Sequence, residues 1–173
     1  MISALVFVAD PGDADAIDRL ADSLGALVGG VAAGLVADAV IVAGSASGAV
    51  GTIADATGAV LVVPSRGDDP WAVGAAAARR DWVLCLEAGD VPGDGWIRTL
   101  DRFVGTARAD ASLGRLRRPH AGLVARIAAR AEAVVGARAA RAGDLVRRER
   151  LSAGGTFAPR LRPRRLGARI DRA

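Results

Sequence analysis

Ile2-Ser3-Ala4-Leu5-Val6-Phe7-Val8-Ala9-Asp10-Pro11-Gly12-Asp13 is the stretch that decides the fold class. Ile2 to Ala9 is a near-continuous apolar run, and a run without polar alternation marks a strand buried on both faces. Asp10-Pro11-Gly12-Asp13 is a turn, and the Asp13 carboxylate is placed to cap the helix that follows. In that helix Ala16, Ile17, Leu20, Leu24 and Leu27 recur at spacings of three and four, which gives one apolar stripe.

The same alternation continues outward from this opening. Ala39 to Ala43 is a second apolar strand, followed by the small-residue loop Gly44-Ser45-Ala46-Ser47-Gly48 and a helix over 50–56. Val60 to Val63 is a third strand, stopped by Pro64, and Pro70 starts a helix running to Arg80, since proline suits a first helical turn. Trp82 to Leu86 is the fourth strand, and Gly95 to Val104 the fourth helix. Four apolar strands separated by helices call for a mostly parallel sheet with helices on both faces. Ligands of such sheets sit at the carboxyl ends of the strands. Here those ends are Asp10, Gly44-Ser45, Pro64-Ser65-Arg66-Gly67 and Glu87-Ala88-Gly89-Asp90.

Beyond residue 105 the pattern changes. Arg115 to His120 reads as a basic turn, and Ala121 to Ala142 as a helix with Leu123, Val124, Ile127, Ala131, Val134 and Val135 on one side. Arg126, Arg130, Arg138 and Arg141 lie on or beside the other side. Gly143 to Arg147 returns as a strand, Gly154-Gly155 is a turn, and Arg160 to Arg172 is an arginine-rich end. The expected organisation is one domain, with an α/β half over 1–104 and a basic, helical segment and tail over 105–173.

The missing residue types narrow the chemistry. The 173-residue chain has no Lys, Tyr, Asn or Gln, and one Cys, one His and one Met. A phosphate loop of the Walker kind and a lysine Schiff base both need an amine, so neither is available. One Cys and one His build neither a zinc site nor a disulfide framework. The chemistry falls to carboxylates, arginines, hydroxyls and backbone.

Charge is divided by position. Residues 1–101 carry 14 Asp/Glu and 5 Arg, whereas 102–173 carry 5 Asp/Glu and 18 Arg. An acidic front argues against a nucleic-acid reader, whose basic footprint covers the folded binding face. The basic part is either a solvated arginine-rich surface or a surface for phosphates and anionic membranes. No targeting segment or membrane-length apolar run is visible, so the expected location is the cytoplasm, extending to the periphery of the inner membrane.

The order of the pieces resembles the nucleotide-sugar-binding half of a family-2 glycosyltransferase of the short bacterial type, with the GT-A (Rossmann-like) fold. The matching pieces are Val40 to Gly48, Ile53 to Ala59, Arg66-Gly67, Gly74 to Ala77, Asp81 to Pro92 and Gly95-Trp96. Ala142 to Arg148, Gly154-Gly155 and Arg162 to Leu166 are similar to the acceptor-side segment. The resemblance runs well over 2–104 and thinly over 142–166. It implies nucleotide contacts at Asp10, Gly44, Ser45 and Arg66. It also implies a Mg²⁺ or Mn²⁺ ion held by Glu87 and Asp90, where the family has its Asp-x-Asp motif.

The departures fall on the residues that do the chemistry. Ala43 stands where the family has the Asp that holds the base, and Ser47 where it has a second Asp. Gly89 replaces a motif carboxylate, Val73 replaces an Asn, and Phe157-Ala158-Pro159 occupies the place of the acceptor base. A missing general base costs about 10²–10⁴-fold in rate. Two readings follow: transfer of a sugar from a nucleotide diphosphate donor, such as a UDP-sugar, to an envelope or lipid-linked acceptor, or a catalytically inactive binding or scaffolding module. A dinucleotide-binding domain ranks below both, because Gly44-x-x-x-Gly48-x-x-Gly51 lacks the required glycine spacing and follows the second strand.

Each candidate also has a plain structural reading. Asp10 is a turn residue, Gly44-Ser45 a tight strand-to-helix turn, and Glu87 and Asp90 cap a turn. Cys85 is core, His120 is solvent-exposed, and Trp71 is a packing anchor or a surface on which a base stacks.

Overall fold

The computed structural model describes residues 1–108, 111–120, 122–151 and 156–173, with the backbone alone over 123–126. Strands β1 (Ile2–Val8), β2 (Val36–Ala43), β3 (Val60–Val62) and β4 (Trp82–Glu87) alternate with helices α1 (Ala14–Ala32), α2 (Gly48–Thr57) and α3 (Pro70–Ala77). Strand β5 (Asp90–Pro92), helix α4 (Trp96–Thr106), strand β6 (Leu113–Arg117) and helix α5 (Leu123–Val135) follow. Strands β7 (Ala137–Ala139), β8 (Asp144–Arg147), β9 (Thr156–Leu161) and β10 (Arg164–Arg172) complete the order.

Eight strands form one sheet in the order β3-β2-β1-β4-β8-β6-β10-β5, and β7 pairs with β9 in a small second sheet. The first four strands are mutually parallel, as their doubly apolar runs require. β8 pairs antiparallel to both β4 and β6, β10 runs parallel to β6, and β5 closes the edge antiparallel to β10. The result is a mostly parallel sheet with helices on both faces.

Local signals set the helix starts. Asp13 caps α1 by accepting from the Asp15 N–H at 3.1 Å, and Asp69, ahead of Pro70, caps α3 by accepting from the Ala72 N–H at 2.8 Å. The core divides by the two-residue period of the strands. Ala4, Val6 and Val8 of β1 join Leu20 and Leu27 of α1, Val50 of α2, and Trp96 and Leu100 of α4. Leu5 of β1 joins Trp71 and Ala75 of α3, with Ala137, Phe157 and Leu161 of the small sheet, on the other face.

The arginine-rich part differs most from the reading of the sequence. It carries its helix, but α5 stops at Val135 because Gly136 adopts φ +84°, and Ala137–Ala139 then pairs as a strand. Leu113–Arg117 is a central strand where a basic turn was expected over 115–120, with Leu113 and Leu116 buried on opposite faces. Arg164–Arg172 is a strand: Leu166, Ala168 and Ile170 alternate into the core while Arg165 and Arg169 point outward. The expected Gly154-Gly155 turn, Ala121 and the side chains of Leu123, Val124 and Arg126 lie outside the described residues.

Candidate functional site

The parallel register gathers the carboxyl ends of β1 to β4 on one edge of the sheet. Val8 pairs with Ala43, and Phe7 pairs with Glu87, so the segments after β1, β2 and β4 leave the sheet side by side. The Gly44 N–H donates to Val8 O at 2.8 Å, and the Ala88 N–H to Phe7 O at 2.9 Å, which ties both turns to the end of β1. Gly44 is required there, because a Cβ would collide with the Ala9 carbonyl oxygen.

Each residue expected at the site can now be placed. Asp10 is exposed and accepts from the Gly12 N–H at 3.1 Å, so its carboxylate shapes its own turn. Ser45 is exposed in the turn after β2, and Ser47 caps α2 with its hydroxyl 3.5 Å from the Val50 nitrogen. Ala43 is fully buried. Arg66 is exposed after β3 and joins none of the ion pairs formed among the described residues. Trp71 is buried edge-on to Phe7, with ring centres 6.0 Å apart, and serves packing. Cys85 is buried in β4, and His120 is exposed.

Glu87 and Asp90 come together across the turn that follows β4. Gly89, at φ +93°, lets the chain reverse, and one Asp90 carboxylate oxygen accepts from the Glu87 N–H at 2.9 Å. The turn is held from outside as well. The Gly89 N–H donates to the Ser23 hydroxyl of α1 at 2.8 Å, and Gly89 O accepts from the Ala173 N–H at 2.9 Å. Asp90 is only 1% exposed, and burial pushes its carboxyl above the usual carboxylate range, against the pull of the Glu87 N–H and Arg118.

Two arginines that the sequence reading did not select complete the site. Arg118, just past β6, donates from one Nη to Glu87 at 3.1 Å and to Asp90 at 2.6 Å. Arg172, at the end of β10, lies 3.5 Å from Glu87 and 3.7 Å from Asp90. Burial alone would lower the Arg118 pKa, but the two carboxylates outweigh it and hold the guanidinium firmly charged. Nothing local marked these residues, since 31 and 85 positions separate Arg118 and Arg172 from Glu87.

A divalent ion can be tested against this donor set. An octahedral ion of this kind is held by one or two carboxylates with free lone pairs, and water and phosphate oxygens complete its shell. Both Asp90 oxygens already accept hydrogen bonds, and Glu87 Oε2 is paired with the same guanidinium, so an ion could bind here only by displacing Arg118. The residues present do not fit a resident divalent ion.

The fold is similar to that of solved structures. Glucosyl-3-phosphoglycerate synthase from Mycobacterium tuberculosis with Mn²⁺ and UDP-glucose superposes with a TM-score of 0.59 at 19% identity, covering 86% of this chain and 56% of that one. The same enzyme with Mn²⁺, UDP-glucose and phosphoglyceric acid gives 0.60 at 18% identity, covering 86% and 57%. A mycobacterial protein gives 0.56 at 21% identity, covering 86% and 53%. This is the GT-A glycosyltransferase fold. The chain spans a little over half the length of these GT-A structures. No protein-family model matches its sequence, and no curated protein does.

A cavity of about 740 Å³ lies apart from Asp10, Ser45, Glu87 and Asp90, along α3 and the 147–151 segment. In a GT-A sheet the strand ends outrank such a side groove, because successive turns there present backbone and side chains from several elements to one ligand.

Proposed function

We propose that the chain is a nucleotide-diphosphate-sugar-binding domain that serves transfer of the sugar to an envelope or lipid-linked acceptor. The observation that carries this reading is the single edge on which the GT-A register assembles the Asp10 turn, the Gly44-Ser45 turn and the Glu87/Asp90 turn. Asp10 and Ser45 supply hydrogen-bonding groups for the base and ribose, and the backbone at Gly44 gives a close approach without a side chain. Arg66 neutralises charge on the diphosphate. Sugar transfer leaves a nucleoside diphosphate carrying new negative charge, so fixed cationic donors at that point lower the barrier.

A second reading, binding without transfer, is favoured by one specific observation. Ala43, at the position of the resemblance's base-binding carboxylate, is a fully buried core residue and offers nothing to a ligand. Thermal-shift titration with uridine and guanosine diphosphates and their sugars tests binding, since a ligand at a hundredfold excess over Kd stabilises by about 2.7 kcal/mol. No shift with any of them sinks both readings. A shift followed by release of free diphosphate in the presence of a lipid-phosphate acceptor separates transfer from binding alone.

The partner surface in this proposal is an anionic membrane. No helix among the described residues is long and apolar enough to cross one. Helix α5 instead leaves Ile127, Val134 and Val135 exposed beside Arg130 in an arginine-rich part of the chain, which suits adsorption to an anionic bilayer.

A further inference from the structure

We infer that Arg118 and Arg172 take the place of a divalent cation at the end of β4, closing the Glu87/Asp90 site to metal and presenting guanidinium groups to the diphosphate. The ligand class rests on the proposed function; the closure to metal does not. Two carboxylates are matched there by two guanidinium groups, so the local charge is already balanced. A Mg²⁺ or Mn²⁺ ion entering this site would have to displace Arg118 from a carboxylate that is only 1% exposed.

The donors left over face a different use. Among the described residues, Arg118 engages both carboxylates through a single Nη, and Arg172 approaches them through a single Nη as well. A guanidinium carries five N–H donors in a planar fork, so each arginine keeps an edge for a phosphate. Glu87 and Asp90 then act as positioning groups that aim those edges, while side-chain exposures of 25% for Arg118 and 45% for Arg172 keep them reachable. The arrangement ties nucleotide binding to β6 and β10, because those strands deliver both arginines.

Electron paramagnetic resonance of Mn²⁺ alone, and calorimetric titration with uridine and guanosine diphosphates in EDTA and in Mn²⁺, test the two halves. The expected results are a free-Mn²⁺ signal left unchanged by the wild-type chain, equal nucleotide affinity in both buffers, and an affinity loss of tenfold or more in Arg118→Ala. Arg172→Ala, at the exposed edge, gives the same direction of change if Arg118→Ala does not fold. Stoichiometric Mn²⁺ uptake that Glu87→Gln removes would overturn the closure. Nucleotide binding that requires Mn²⁺ would overturn the inference while the proposed function stands. Binding of no nucleotide in either buffer would overturn the proposed function and the diphosphate role together, leaving the Mn²⁺ signal to decide the closure.

Discussion

Arg115 and Asp144 face each other across the β6–β8 pairing, with the guanidinium Nε 2.6 Å and an Nη 2.9 Å from the two carboxylate oxygens. Asp144 is fully buried and Arg115 nearly so, and the remaining Arg115 Nη reaches Glu132 of α5. Glu132 is held in turn by Arg141 at 3.2 Å. Burial alone would lower the Arg115 pKa, yet Asp144 and Glu132 push it up, so the group stays charged.

Removing Asp144 leaves the nearly buried Arg115 with Glu132 as its one remaining partner among the described residues. Asp144→Ala is expected to cost about 3–5 kcal/mol, whereas replacing both partners by apolar residues costs far less. Urea unfolding of Asp144→Ala and of the double variant Arg115→Met/Asp144→Leu checks this. Equal losses in the two would show that the ion pair contributes only as packing volume.

Gly44→Ala is expected to destabilise by about 1–3 kcal/mol, because the added methyl meets the Ala9 carbonyl oxygen and must push two strand ends apart. The readout is the melting temperature. An unchanged melt would mean that the end of β1 yields freely, and that Gly44 is not the constraint argued above.

Cys85 is expected to make stability fall at alkaline pH. Burial, then the nearby Asp144 and Asp69 charges, raise its thiol well above the ordinary value. A raised folded pKa means that the unfolded chain loses the proton first. Stability is therefore complete below the unfolded pKa of about 8.5 and falls by about 1.4 kcal/mol per pH unit above it, until the folded pKa is reached. The chain has no Lys or Tyr to titrate in the same range. Denaturant unfolding between pH 8 and 10.5 should show this slope in the wild type and lose it in Cys85→Ala; identical slopes would refute the assignment.

Vesicle co-sedimentation addresses α5. Binding to vesicles with one-third phosphatidylserine should fall with added salt, and should drop at least fivefold in Ile127→Asp/Val134→Asp, both sites being exposed. Equal binding to neutral and anionic vesicles would remove the electrostatic part of the proposal.

The first ninety residues were largely legible because their signals are local. The doubly apolar run of β1, the Asp13 cap and the Asp69-Pro70 start each act within a few residues of themselves, and each appears where the sequence puts it. β10 was also within reach, since Leu166, Ala168 and Ile170 alternate with a period of two, but the density of arginine obscured that pattern. β6 offered less, with Leu113 and Leu116 on opposite faces and Arg115 between them. An arginine in a strand reads as a turn or a surface until its buried partner is known, and Asp144 lies 29 positions away.

The sequence by itself determined a mostly parallel, helix-covered sheet, and placed Glu87 and Asp90 together at the carboxyl end of its fourth strand. Periodicity and capping suffice for this, because they report which face of an element is apolar and where it begins. Only the tertiary structure decided that β8 enters antiparallel beside β4, and that β6 and β10 return Arg118 and Arg172 to those carboxylates. Coulomb attraction and desolvation act through space between groups that strand order makes neighbours, so the cation at this site follows from the folded register and from no local run of residues.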